Sequence, residues 1–197
     1  MMRCEWAKSD LMIEYHDTEW GVPLYDDRKL FEFLVLEGVQ AGLSWEIVLR
    51  KRENYRKAFH RFDPVKISKY TKKDINKLMK DAGIIRNKAK IDATVNNAKR
   101  FLEVKKEFSS FSDYMWQFVN NKPIKNKFKN LKELPAKTEI SNAMSIDLKK
   151  RGFKFVGSTI CYAHMQATGM VNDHLTSCFR HKEVHKLGMS NSIKNVR

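Results

Sequence analysis

No stretch of the 197-residue sequence reaches the roughly 18 consecutive apolar residues that a membrane-spanning helix needs, so no membrane span is expected. The opening "MMRCEWAKSD" is polar and charged, without the apolar core of an export signal, and a cytoplasmic address follows from it. Cysteine is scarce: the chain has only Cys4, Cys161 and Cys178. An odd count in a chain without a signal argues against a disulfide scaffold and leaves metal ligands, a nucleophile or ordinary core thiols. Strand signals are sparse as well. Alternation never lasts, and nothing repeats at a solenoid period. Acidic residues are in deficit, 23 against 38 Lys and Arg, for a formal net charge of +15. That excess excludes little by itself but favours a polyanionic partner, chiefly nucleic acid.

What remains is helical pattern in a chain long enough to bury a sizeable core without covalent staples. The expected fold is all-α, one globular domain over residues 1–187 with room for two lobes and a cleft, then a polar, disordered tail over 188–197. Residues 1–25 read as irregular and aromatic-rich, with Trp6, Tyr15, Trp20 and Tyr25. "DDRKLFEFLVLEGVQAG" reads as a helix from about Asp27, with Leu30, Phe31, Leu34 and Val35 at helical spacing and Asp26 or Asp27 as its cap. Ser44 is the expected N-cap of a second helix. Asp63-Pro64 opens a short one, and Thr71 with Asp74 forms the capping box of another that stops at Gly83. A long amphipathic helix follows, with Ile91, Val95, Ala98 and Leu102 on one face, then a short aromatic helix in "FSDYMWQFVN". Residues 121–138, lysine-rich with two prolines, read as a loop. Beyond it Ser141 is the expected cap of a helix, a tight turn spans Gly152 to Gly157, a helix ends near Gly169, and "NDHLTSCFRHKEVHKL" reads as helical.

Three constellations can carry chemistry. In "KKRGFKFVGST", Gly152 and Gly157 bound a hairpin between two helices. Free amides at the start of the next helix, near Ser158, and the basic residues Lys149, Lys150, Arg151 and Lys154 suit a DNA backbone; a plain helical hairpin is the simpler reading. His174 and Cys178 are four apart, on one face if helical, and Cys4 with His16 makes a second pair. Two cysteines and two histidines would close a structural zinc site tying the N-terminus to the C-terminal helix. Neither pair has zinc-finger spacing, and four unrelated residues are the alternative. Cys161 reads as a buried thiol. In "LEGVQAGLSW", Glu37 sits inside an apolar helix close to Trp45. A carboxylate there needs donors or stays protonated, unless it simply faces solvent or caps backbone donors. With Tyr15, Trp45, Trp6 and Trp20 it could line a pocket for a planar, cationic nucleobase.

Six stretches and one cysteine carry a resemblance to a known family: "RCEWA", "YHDTEWGVPLYDDRKLFEFLVLEG", "QAGLSW", "KRENYRKAFHRFDPVKI", "DAGIIRNKAKIDATVNNA", "KKRGFKFVGSTICYAHMQATGMVNDH" and Cys178. Over most of residues 3–180 the sequence resembles the DNA-3-methyladenine glycosylase I family, a divergent branch of the helix-hairpin-helix glycosylases. The resemblance implies a helix-hairpin-helix fold whose Gly152–Gly157 hairpin, with Lys154, contacts DNA phosphates. It implies one structural zinc ion held by Cys4, His16, His174 and Cys178. It implies a 3-methyladenine pocket of Glu37, Tyr15 and Trp45 with Trp6 nearby, Glu37 being the catalytic candidate, and places Gly42 and Leu43 at the gap left by the flipped nucleotide.

The implied activity is base-excision repair: hydrolysis of the N-glycosidic bond of 3-methyladenine in double-stranded alkylated DNA. The expected enzyme is a monomer of the bacterial cytoplasm. Most of the superfamily places a catalytic aspartate after the hairpin; "VNDH" puts Asn172 there, and Asp173 is expected to point elsewhere on a helix. The helix "STICYAHMQATG" has no lysine for a Schiff base, so strand cleavage is not expected. The missing aspartate keeps one alternative open, a non-catalytic module that binds alkylated or bent DNA. Residues 121–138 and those past Phe179 match little.

Overall fold

A computed structural model describes the backbone of residues 1–192 and the side chains of residues 1–188. The described residues form ten α-helices: α1 (Asp10–Thr18), α2 (Asp27–Gln40), α3 (Trp45–Ala58), α4 (Pro64–Ile67), α5 (Lys72–Leu78), α6 (Lys88–Phe108), α7 (Phe111–Trp116), α8 (Glu139–Lys150), α9 (Ser158–Ala167) and α10 (Phe179–Ser192). The mostly helical expectation holds. Two parallel strands of two residues each, β1 (Ile124–Lys125) and β2 (Val171–Asn172), are an addition to it; two residues are too few to show a period in the sequence. No described helix is long and apolar enough to cross a membrane.

The hub is α2. Asp26 caps it, accepting the Lys29 N–H at 2.8 Å, and every residue from Leu30 to Val39 is buried. A helix buried all round must be packed from several sides, and α3, α6, α7 and α9 all lie against it. Leu30, Phe31 and Leu34 share a core with Tyr55, Phe59, Phe101, Trp116, Met144 and Leu148. Burying such side chains stabilises the fold by roughly 1.5–3 kcal/mol each, and the three cysteines stay unpaired by disulfide. A second cluster joins Tyr15, Trp20, Phe33, Leu49, Cys4, Leu175 and Cys178. It stands where both ends of the chain meet the N-terminal half of the hub.

Several boundaries differ from the sequence reading. The irregular N-terminal region contains α1, capped by Ser9, which accepts the Met12 N–H at 3.4 Å. The helix after the lysine-rich loop is capped by Thr138; Ser141 is its third residue and closes the box by bonding back to the Thr138 N–H. The capping box Thr71–Asp74 is present, but α5 stops at Leu78, before Gly83. His174 and Cys178 lie in a turn, not on a helix, because "NDHLTSC" is rich in turn formers and α10 starts only at Phe179. That helix runs on through Gly188, which packs against Pro123, to Ser192. The expected tail is therefore partly helical; residues 193–197 lie outside the described residues.

Candidate active site and metal centre

A cavity of about 290 Å³ opens beside the C-terminal end of α2, at the small end of the range that takes ligands. Glu37 and Gln40 reach it from α2, Trp45 from the first turn of α3, and Tyr15 from α1. Trp6 and Trp20 flank α1 and complete an aromatic wall. Their rings meet edge to face at 5.0 Å, and the Tyr15 and Trp45 rings lie 5.6 Å apart. The loop Ala41–Ser44 separates Gln40 from Trp45, so the wall is placed by one tight turn between two capped helices. Ser44 caps α3 as expected, accepting the Ile47 N–H at 3.4 Å.

Two buried carboxylates on α2 show what is unusual about Glu37. Glu32 is buried too, but it accepts from Arg52 at 2.6 Å and from Arg56 at 2.7 Å. Glu37 is 4% exposed, and among the described residues none donates a hydrogen bond to it. Burial pushes its carboxyl up to about 8. It also occupies the last turn of its helix, where the dipole disfavours negative charge. Burial, then the Glu37 and Glu19 carboxylates, hold the Tyr15 hydroxyl well above its ordinary value. The Trp45 indole N–H is buried and completes no hydrogen bond. The cavity thus offers an unspent carboxylate, an unspent donor and aromatic faces. A larger cavity of about 490 Å³ between Lys57 and Asp81 has no buried unpaired charge; its Asp74 carboxylate accepts the Thr71 N–H in the capping box of α5 and its Asp81 accepts from Gly83.

Behind the aromatic wall, Cys4, His16, His174 and Cys178 bring four donor atoms within 4.8 Å of one another, all buried. The Cys178 Sγ lies 3.4 Å from His16 Nε2 and 3.6 Å from His174 Nδ1; the Cys4 Sγ lies 3.7 Å from His174 Nδ1. Sulfur and nitrogen bound tetrahedrally to one zinc would sit about 3.5 Å apart. Each histidine's other nitrogen is engaged: His174 Nε2 donates to the Trp20 carbonyl at 3.0 Å, and His16 Nδ1 meets Asp17 Oδ1 at 2.7 Å. Those bonds leave the inner nitrogens free to ligate, the usual second layer of a metal site. The cluster could hold a metal ion.

The segments expected to meet DNA are exposed. Gly42 has φ +79°, a left-handed conformation that favours glycine, with open space around it; Leu43 is half-buried next to it. In the α8–α9 hairpin, Lys149, Lys150 and Lys154 are exposed. Arg151 is not available as expected, being tied to Asp147 and Glu107 and lying over the rings of Phe108 and Tyr114. Gly157 has φ −64°, and a Cβ added there would meet nothing within 4 Å, so neither conformation nor packing within the described residues requires a glycine. It caps α9 without a side chain, leaving the first amides of that helix unsatisfied.

Two residues lining the cavity escape a sequence reading, and Asp173 stands behind one of them. Leu134 lines it from the lysine-rich loop, a segment that composition marks only as linker. Gln166 lines it from α9, and its Nε2 donates to Asp173 Oδ2 at 2.8 Å. Asp173 itself is buried in a turn, not a helix, and also accepts from Tyr162 at 2.6 Å and Asn126 at 2.6 Å. Asn172 bonds the His181 carbonyl and the His174 N–H.

Residues 6–181 match the model of the methyladenine glycosylase family, and the chain belongs to that family. It is 54% identical to the DNA-3-methyladenine glycosylase of Haemophilus influenzae, over 89% of this chain and 96% of that protein. A crystal structure of a 3-methyladenine DNA glycosylase I superposes with a TM-score of 0.89 at 51% identity, covering 90% of this chain and 98% of that one. The Staphylococcus aureus 3-methyladenine DNA glycosylase I, solved for its recognition of 3-methyladenine, superposes with a TM-score of 0.88 at 36% identity, over 90% and 95% of the two chains.

Proposed function

We propose that this chain is a base-excision repair enzyme that hydrolyses the N-glycosidic bond of 3-methyladenine in alkylated DNA. The observation that carries the reading is the contrast on α2: Glu32 is neutralised by two arginines, whereas Glu37 keeps a buried, unpartnered carboxylate facing aromatic rings. An anionic ligand would be repelled by it, and a neutral one would gain hydrogen bonds alone. A cationic, donor-bearing base gains charge and hydrogen bonds, and stacks on Trp45 and Tyr15 with Trp6 at the rim.

The duplex is bent and the damaged nucleotide flipped into the cavity, with Gly42 and Leu43 in the gap it leaves. The Lys154 hairpin and the uncapped amides of α9 hold phosphates. The positive ring is already a good leaving group. As the C1′–N bond breaks, its electron pair passes to the base, which departs neutral while Glu37 holds it by its edge. The sugar is left oxocarbenium-like, stabilised by the DNA's own phosphates. Water adds to C1′ and loses its proton to solvent. With no lysine on α9, the strand stays intact.

Zinc suits the cluster: two thiolates and two imidazoles, at separations near those of a closed tetrahedral site, with both outer nitrogens engaged. Cys4, His16, His174 and Cys178 would hold one ion whose contribution is structural. Residues 1–187 then act as one helix-hairpin-helix glycosylase domain, with the N-terminal segment tied to the turn before α10.

The deciding experiment is incubation with methylated duplex DNA and identification of the released base. Free 3-methyladenine with an uncut strand is expected. Tight binding of the duplex without any released base would replace this reading with a non-catalytic damage-binding module.

A further inference from the structure

One face of α6 is bonded to both segments assigned above to the duplex. Lys90, in its first turn, is buried, and its ammonium donates to the carbonyls of Val39 and Ala41, each at 2.7 Å. These are the last carbonyls of α2, which have lost their helical partners and carry the negative end of the dipole. The last turn of α2 has no basic residue of its own. Among the described residues Lys90 has no carboxylate partner. Burying a lysine costs desolvation that an apolar side chain would avoid. Its charge is spent on the backbone that leads directly into Gly42 and Leu43.

Two turns further along the same face, about 10 Å away, Asn97 grips the hairpin. Its amide nitrogen donates to the Lys154 carbonyl at 2.9 Å, and its amide oxygen accepts the Lys154 N–H at 2.8 Å. Asn96 adds a bond to the Gly152 carbonyl at 2.8 Å. The hairpin is also pressed onto α2. Phe155, at φ +54°, lies so close to Gly38 that a Cβ there would come within 3.1 Å of the Phe155 Cβ. Neither Lys90 nor Asn97 lines the aromatic cavity.

We propose that Lys90 and Asn97 are positioning residues that hold the Gly42–Leu43 loop and the Lys154 hairpin at one fixed spacing, so that opening the duplex and gripping its backbone stay in register. This rests on the assignment of both segments to DNA. A two-point grip works only if its spacing matches the bent duplex, and displacement of one element by about 1 Å can cost on the order of 100-fold in rate.

The test uses the full chain carrying Lys90→Met, Lys90→Arg or Asn97→Leu. Excision from methylated duplex DNA is compared with binding of free 3-methyladenine followed by tryptophan fluorescence. Lys90→Met and Asn97→Leu are each expected to lower kcat/KM on duplex by about 10- to 100-fold, through KM, with free-base affinity unchanged. Lys90→Arg keeps two donors and is expected to restore most of the loss. A merely structural role would move both readouts together, and that result overturns the proposal. So does an unchanged duplex KM in folded Lys90→Met or Asn97→Leu protein; Asn97→Leu suffices should Lys90→Met not fold. Leu43→Gly and Lys154→Ala run beside them. If these leave duplex KM unchanged, the DNA assignment itself fails; if they raise it while the α6 variants do not, only the positioning role does.

Discussion

His174 donates from Nε2 to the carbonyl of Trp20 at 3.0 Å, and the Trp20 indole meets the same imidazole edge-on at 4.6 Å. Trp20 is also a wall of the cavity that holds Glu37. The cysteine–histidine cluster therefore braces the pocket through Trp20, and Trp6 meets His16 edge-on at 5.2 Å.

That link makes metal removal visible at the pocket. One zinc per chain is expected by metal analysis. Stripping it with a chelator should lower Tm by about 10 °C, as a loss of roughly 3 to 4 kcal/mol would in a chain of this size, and weaken 3-methyladenine binding. Folded, active protein holding far less than one equivalent of metal would defeat the structural-zinc assignment.

Glu37 should give the free protein a distinctive pH dependence. Its carboxyl is pushed up to about 8 by burial, above the ordinary value of a glutamate. Between the two values the folded state keeps a proton the unfolded state has lost. Stability from this group is thus fully present below the ordinary value and falls as pH rises towards about 8, by up to ~1.4 kcal/mol per pH unit for a whole proton. Glu37→Gln should flatten that slope in denaturant titrations. A cationic base favours the ionised form, so excision should rise with pH towards 8 in the unaltered enzyme and fall sharply at every pH in Glu37→Gln. Wild-type excision by that variant would remove the charge role.

Lys154→Ala should weaken binding to duplexes of any sequence and reduce the slope of log affinity against log salt by about 1. An unchanged slope would mean that Lys154 touches no phosphate.

Asp173 accepts from three side chains in a buried turn. Asp173→Asn should cost about 1–3 kcal/mol by denaturant unfolding, the penalty for unsatisfied buried donors, while the folded fraction still excises base. If that fraction were inert, Asp173 would belong to the chemistry and not to the scaffold.

Caps and apolar spacing were readable because they act over four residues. Asp26, Ser44 and the Thr71–Asp74 box each do what local chemistry requires. Thr138 was passed over because the residue closing its box is Ser141, not the glutamate that makes such boxes conspicuous. The first helix was missed because only Tyr15 and His16 of its nine residues are buried, too few to form a stripe.

The site divides the same way. The burial of Glu37 and the aromatic company around it could be anticipated from "LEGVQAGLSW", but its lack of a partner depends on where Arg52 and Arg56 point. The convergence of Cys4, His16, His174 and Cys178 depends on bringing residues 170 positions apart into contact. Leu134 and Gln166 reach the cavity by tertiary packing alone, and spacing gives no hint of either.

The cluster also sets an order of events during synthesis. Trp6, Tyr15 and Trp20 leave the ribosome well before the residues their segment meets: Cys178 follows His16 by 162 positions. At about 5–20 residues per second, the aromatic wall waits several seconds for them. The pocket is therefore completed only when two distant segments meet, and a protein cut short before Cys178 would carry the aromatic rings of a binding site without two of the four residues gathered behind them.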